Sequence, residues 1–149
     1  FVPLTHYLIS NQVPALLQDM GHEMVVHTVI TGSQALLDTV SGFAQLASQF
    51  PAEALFVVWL NPFWGAVEHE GKSFEQMKAY TTNKARVSAI VNIPALKEDT
   101  YGRDLSDMLQ ERLTFDEALA MDSLTIMTRQ RLKIVKGQLF SQLDSAAVL

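Results

Sequence analysis

The sequence predicts an α/β fold, a parallel sheet with flanking helices that forms a single domain over residues 1–149 and ends in an amphipathic helix. Two observations carry this expectation. Residues 24–30 (MVVHTVI), 54–60 (ALFVVWL) and 89–93 (AIVNI) are nearly continuous in apolar residues, the pattern of strands buried on both faces of a parallel sheet. The stretches between them have helical spacing, so the order is strand, helix, strand, helix, strand, joined by right-handed crossovers.

Taken in order, residues 13–20 read as a helix, with Pro14 tolerated in the first turn and Gly21 closing it. After the first strand, Gly32 precedes a helix over 33–50, in which Leu36, Val40, Phe43, Ala47 and Phe50 form one apolar stripe that Pro51 ends. After the second strand, residues 73–87 read as another helix, with Ser73 three residues ahead of Gln76 in capping-box spacing. Behind the third strand, TFDE opens a helix over 114–120 as a strong capping box. From Leu124 to the end, Leu132, Val135, Leu139, Leu143 and Ala146 share one helical face. Three strands are few for a sheet flanked by this many helices. The chain also starts at Phe1 rather than Met, so we expect the domain to be incomplete.

Composition bounds the function. The chain is 48% hydrophobic and 18% charged, with a net charge of −5, and a chain of 149 residues can bury roughly two thirds of its unfolded surface. The acidic surplus argues against a general nucleic-acid coat, which needs lysines and arginines to neutralise phosphates; a local basic patch stays open. The lack of cysteine removes disulfides, Cys-based zinc sites and thiol catalysis and fits a reducing compartment, so we expect the cytoplasm. No run approaches the ~18 apolar residues of a membrane span.

Several motifs invite chemistry. Gly71, Lys72 and Ser73 spell the tail of a phosphate-binding loop, yet its earlier glycine position holds Ala66, and Glu68 and Glu70 lie where backbone N–H groups would cradle phosphate. We read an exposed loop there. Glu68, His69 and Glu70 are adjacent on that loop and have no second histidine cluster to complete a metal site. His27, inside an apolar strand, reads as a hydrogen-bonded core or strand-end histidine, and no G-x-S-x-G nucleophile setting is present. Arg129, Arg131, Lys133 and Lys136 lie on the last helix, with 129, 133 and 136 on one face. That face is either solvated or a contact for DNA, lipid or a partner. The most informative segment is 57–65, VVWLNPFWG, which puts Asn61, Pro62 and aromatics at the carboxyl edge of the sheet, where open α/β folds bind ligands. The competing reading is a plain turn with Trp59 and Trp64 in the core.

The strings HTVITGSQALLDTVSGFAQLASQFPAEALFVVWLNPFWG, EHEGKSFEQMKAY, IPALKEDTYGRD, LTFDEAL and IMTRQRL resemble the carboxy-terminal part of the TraL-type conjugal-transfer proteins of plasmids, relatives of the ParA and MinD P-loop ATPases. The resemblance covers essentially the whole chain. It implies the C-terminal part of a ParA/MinD-like P-loop NTPase fold. In that family a deviant Walker A sequence with two lysines lies near the amino terminus, followed by carboxylates that serve magnesium and water, and none of these elements occurs in this chain. The resemblance carries over only Asn61, as an adenine contact, and Pro94 and Ala95, whose backbone would line the base. It implies ATP and magnesium as cofactors of the full-length family, a homodimer when full length, and a conjugation or plasmid-partition protein as partner. Phosphoryl transfer depends on positioning and charge stabilisation by the missing groups. We therefore expect these 149 residues alone neither to bind the nucleotide tightly nor to hydrolyse ATP. The alternative is a non-catalytic α/β module that binds a protein through the edge at 59–64 or the face at 129–136.

Overall fold

The computed structural model describes residues 2–146, which form two compact units, one reaching Asn92 and the other starting at Ile93. The first begins with α1 (Val2–Ser10) and α2 (Val13–Asp19), parted by Gln12 in the left-handed region at φ 52°. Pro14 is buried in the first turn of α2. Gly21, at φ 80°, ends α2: its N–H donates to the Gln18 carbonyl and that of His22 to the Leu17 carbonyl, which satisfies two orphan carbonyls of the last turn.

Strand β1 (Val25–Thr31) leads through one 3₁₀ turn (Ser33–Ala35) into α3 (Leu36–Gln49), and β2 (Leu55–Asn61) follows. A short antiparallel hairpin, β3 (Glu68–His69) and β4 (Lys72–Ser73), turns at Glu70 and Gly71, both at positive φ. After it come α4 (Lys78–Asn83) and β5 (Val87–Asn92). The three long strands form one sheet in the order β1-β2-β5, parallel throughout. Val25 stands opposite Leu55 and Thr31 opposite Asn61, so β1 and β2 end level. On one face of the sheet the predicted α3 stripe, Leu36, Val40, Phe43 and Ala47, packs against Ile30, Phe56 and Val58. The Phe43 ring meets Phe56 and Phe74 edge-on, at 5.9 and 5.6 Å between centroids.

The helix expected over 73–87 is broken. The Ser73 N–H does bond to Gln76 Oε1 at 3.0 Å, but this cap starts only a 3₁₀ turn, Phe74–Gln76. Met77 is then extended (φ −77°, ψ 149°), and the turn places Phe74 in the core, 1% exposed. The six-residue α4 follows, rich in poor helix formers such as Thr81, Thr82 and Asn83.

The second unit holds a π-helical turn (Glu98–Gly102), α5 (Arg103–Gln110), α6 (Phe115–Ala120) and α7 (Ile126–Ala146). Neither α1 nor α5 is among the elements read from sequence. Met108, Ala118 and Leu132 form the core of this unit, with Leu105, Leu113 and Phe115 packed on it. On α7, Leu132 and Val135 are buried and Leu139, Leu143 and Ala146 half-buried, as their spacing predicts. The expected helix also includes residues 147–149, which lie outside the described residues. No helix among the described residues is long and apolar enough to cross a membrane.

The TFDE capping box forms as read. Thr114 Oγ1 accepts the Glu117 N–H, and Glu117 Oε2 accepts both the Thr114 N–H and its hydroxyl at 2.8 Å. The Thr114 backbone N–H, then its hydroxyl, hold the Glu117 carboxyl below the ordinary glutamate range. A depressed folded-state pKa means that stability is present above the unfolded value and lost as pH falls through the folded one. Thr114→Ala should lower the melting temperature by a few degrees near neutrality. In a pH series of thermal melts that difference should shrink as pH falls through and below the ordinary glutamate range, and a constant difference would contradict this account of the cap.

Candidate functional site at the carboxyl edge of the sheet

Because β1 and β2 end level, the residues after them meet at one edge. Asn61 Oδ1 accepts the Phe63 N–H at 3.0 Å, and the Gly65 N–H bonds to the Pro62 carbonyl at 3.0 Å, folding NPFWG into consecutive tight turns. Across the gap, the Gly32 N–H donates to the Asn61 carbonyl at 3.3 Å. The approach is closest at Gly32 itself, where an added Cβ would lie 2.0 Å from the Gly65 carbonyl oxygen and 2.7 Å from that of Ala66. Gly65, at φ 131°, adopts a conformation that side chains rarely allow, and Ser33 is left-handed at φ 62°.

These turns present two aromatic rings to solvent. Phe63 is 62% and Trp64 69% exposed, the rings edge-to-face at 4.6 Å and 88°. Beneath Trp64 runs an open groove of about 520 Å³, bounded by Ser33, Gln34 and Leu37 at the start of α3 and by Glu68 and His69 of the hairpin. No side chain caps this helix start, so its first N–H groups and its positive dipole end carry no internal acceptor from a side chain. The groove thus offers an aromatic plane, backbone donors and one carboxylate.

Asn61 stands at this edge, as its position in the sequence predicts. Its amide NH₂ has no partner among the described residues, while its Oδ1 is held by the turn. Pro94 and Ala95 follow β5 and belong to the second unit, Pro94 half-buried and Ala95 exposed. Trp64 is exposed, and Trp59 packs outside the core of α3, its indole N–H donating to His27 Nδ1 at 3.0 Å. His27 is therefore a hydrogen-bonded strand histidine, although exposed rather than core. Lys72 and Ser73 belong to the hairpin, so the apparent phosphate-loop tail is no cradle. His69 and Glu70 approach at 3.9 Å, and no group of three or more metal-ligating side chains occurs among the described residues.

The basic residues of α7 are mostly engaged within their own unit. Arg131 clasps the buried Asp104 through Nε and Nη2, and the hydrogen bond to that carboxylate raises its already high pKa. Lys136 pairs with Asp116, and Arg129 Nη2 donates to the Met121 carbonyl at 2.7 Å. Lys133 is exposed. Two of these four charges are thus compensated by carboxylates, whereas Arg129 bonds a neutral carbonyl and Lys133 stands in solvent. The groove residues Gly32, Ser33, Gln34 and Leu37 were not singled out from sequence as site residues. The signal for Gly32 was present, a glycine between an apolar strand and a helix, which marks close backbone approach.

No protein-family model matches the chain, and no solved structure matches it. Two curated proteins of Escherichia coli, each called Protein TraL, are similar to it, at 85% and 81% identity over all 149 residues. The chain spans 62% of the length of each.

Proposed function

We propose that this chain is the base-binding and helical portion of a nucleotide-binding protein that serves plasmid conjugal transfer. The observation that carries the ligand reading is the groove beneath Trp64, at the carboxyl edge of a parallel sheet, where such sheets bind ligands. The similarity to the two proteins called TraL supports the role in transfer. In this reading the indole of Trp64 stacks on a planar base, a contact worth about 1–3 kcal/mol by alanine substitution. The free amide N–H groups of Asn61 donate to ring nitrogens. ATP hydrolysis, and the dimerisation that would couple it to a conjugation or partition partner, then belong to a protein of the relatives' full length. The 149 residues alone are inactive.

A second reading has its own support: Phe63 and Trp64, both more than 60% exposed on one loop, are the residue types that anchor protein interfaces. Titrating a full-length relative with a fluorescent ATP analogue separates the two. Asn61→Ala and Trp64→Ala should each weaken binding about tenfold, the loss of one good contact. Unchanged affinity in both would remove the nucleotide from this edge and favour the interaction module. Transfer frequency from a plasmid carrying either variant reports the role in conjugation.

A further inference from the structure

Helix α7 buries one stripe and exposes another. Leu132 and Val135 are buried and Leu139 half-buried. Half a turn away, Ile126, Gln130, Lys133, Gly137, Phe140 and Asp144 are all exposed, Ile126 at 83% and Phe140 at 50%. Their spacing alternates between four and three residues along the helix, which is the seam a second helix follows in a coiled coil. Gly137 is the odd member, since glycine weakens a helix interior relative to alanine. Nothing lies within 4 Å of a Cβ added to it, so no neighbour among the described residues calls for a glycine there. A helical glycine with open space around it means little alone, and Gly42 in α3 is another. Gly137 differs in what stands beside it on the seam, an aromatic ring at 140 and charges of opposite sign at 133 and 144.

We propose that this stripe is a contact between two copies of the chain, their α7 helices antiparallel, with Gly137 of each copy facing Phe140 of the other. The same register sets Lys133 of each copy against Asp144 of the other, because both pairs are centred on one point, between Gln138 and Leu139. Each ring then fills the space that the missing Cβ leaves, and each ammonium meets a carboxylate. Neither Lys133 nor Asp144 has an ion-pair partner among the described residues. A parallel pair would instead set lysine on lysine and aspartate on aspartate, a repulsion that selects the antiparallel arrangement. The choice of a second copy as occupant rests on this self-complementarity: charge and shape both find their match on the same helix face. Residues 131–146 overlap in this register, about 24 Å of helix. The interface is therefore small, and the dimer is a weak, reversible one.

The inference is independent of the ligand reading, since it needs no nucleotide and leaves the sheet edge untouched, and either can fail alone. Its test is sedimentation equilibrium of a full-length relative bearing this chain's α7 sequence, free of nucleotide, at micromolar to millimolar concentrations. A reversible monomer–dimer equilibrium is expected. Lys133→Asp and Asp144→Lys should each weaken self-association at least about tenfold, because each makes both charge pairs repulsive. An equimolar mixture of the two variant proteins restores opposite charges at both pairs and should associate about as tightly as the parent. Gly137→Leu should also weaken the dimer while raising the melting temperature of the dilute monomer, which separates loss of the contact from loss of the fold. A relative that stays monomeric throughout overturns the proposal. A dimer indifferent to the charge reversals overturns it by placing the contact on another surface, and a mixture no tighter than its components overturns the antiparallel pairing.

Discussion

Gly32→Ala is expected to cost about 1–3 kcal/mol, the range for forcing extra atoms into a packed site, and to displace the loop that holds Trp64. The new Cβ would lie 2.0 Å from the Gly65 carbonyl oxygen and 2.7 Å from that of Ala66. Both obstacles are backbone, so no flexible side chain can swing away. The conformation of Gly32, φ −70° and ψ 179°, is one that alanine adopts freely, which makes the effect steric and not a matter of backbone strain. Gly42→Ala is the matched control. It sits inside α3 with nothing within 4 Å of an added Cβ, so it should stabilise the protein by roughly 0.5–1 kcal/mol. Urea denaturation followed by tryptophan emission reads both changes. A Gly32→Ala midpoint equal to that of the parent would mean that the two loops do not press together as described.

The parts of the fold legible in sequence are those whose signal is local and apolar. The three strands declare themselves through nearly continuous apolar runs, and the stripe from Leu36 to Ala47 marks both the extent of α3 and its buried face. Capping chemistry was legible at Thr114, where a helix follows, and only half legible at Ser73, where the same spacing produces a single turn because Phe74 is drawn into the core and Met77 extends. The hairpin at Glu68–His69 and Lys72–Ser73 was illegible, since its strands are two residues each and wholly exposed. At the site, Asn61 could be placed from the end of its strand alone. The Gly32 contact could not, because it joins two loops far apart in sequence. On α7, for a related reason, spacing shows which cations share a side, but not that Asp104 and Asp116 on neighbouring helices pair with Arg131 and Lys136.

Arg86→Met should cost about 3 kcal/mol or more, as befits the loss of charge-assisted hydrogen bonds to part-buried acceptors. The guanidinium, just ahead of β5, donates to the carbonyls of Ala47 and Pro51, to that of Phe50 at 3.1 Å and to that of Ala54 at 3.2 Å, and lies 5.1 Å from the centre of the Phe56 ring. Ala47 lies in the last turn of α3, whose final carbonyls have no helical partner. Phe50, Pro51 and Ala54 form the connection that must double back into β2. One side chain thus ends the helix, closes the turn and fastens the start of β5 to both. Methionine keeps much of the apolar stem over Phe56 but removes the guanidinium from the Ala47, Phe50 and Ala54 carbonyls, while that of Pro51 keeps the Ala54 N–H at 3.1 Å. Lysine restores the charge but not the planar fork that reaches several acceptors at once, so Arg86→Lys should recover less than half of the loss. Denaturation midpoints rank the three proteins, and amide exchange over residues 47–56 locates the damage. A methionine variant as stable as the parent, or protection lost uniformly rather than around the end of α3, would show that the turn holds without this cation.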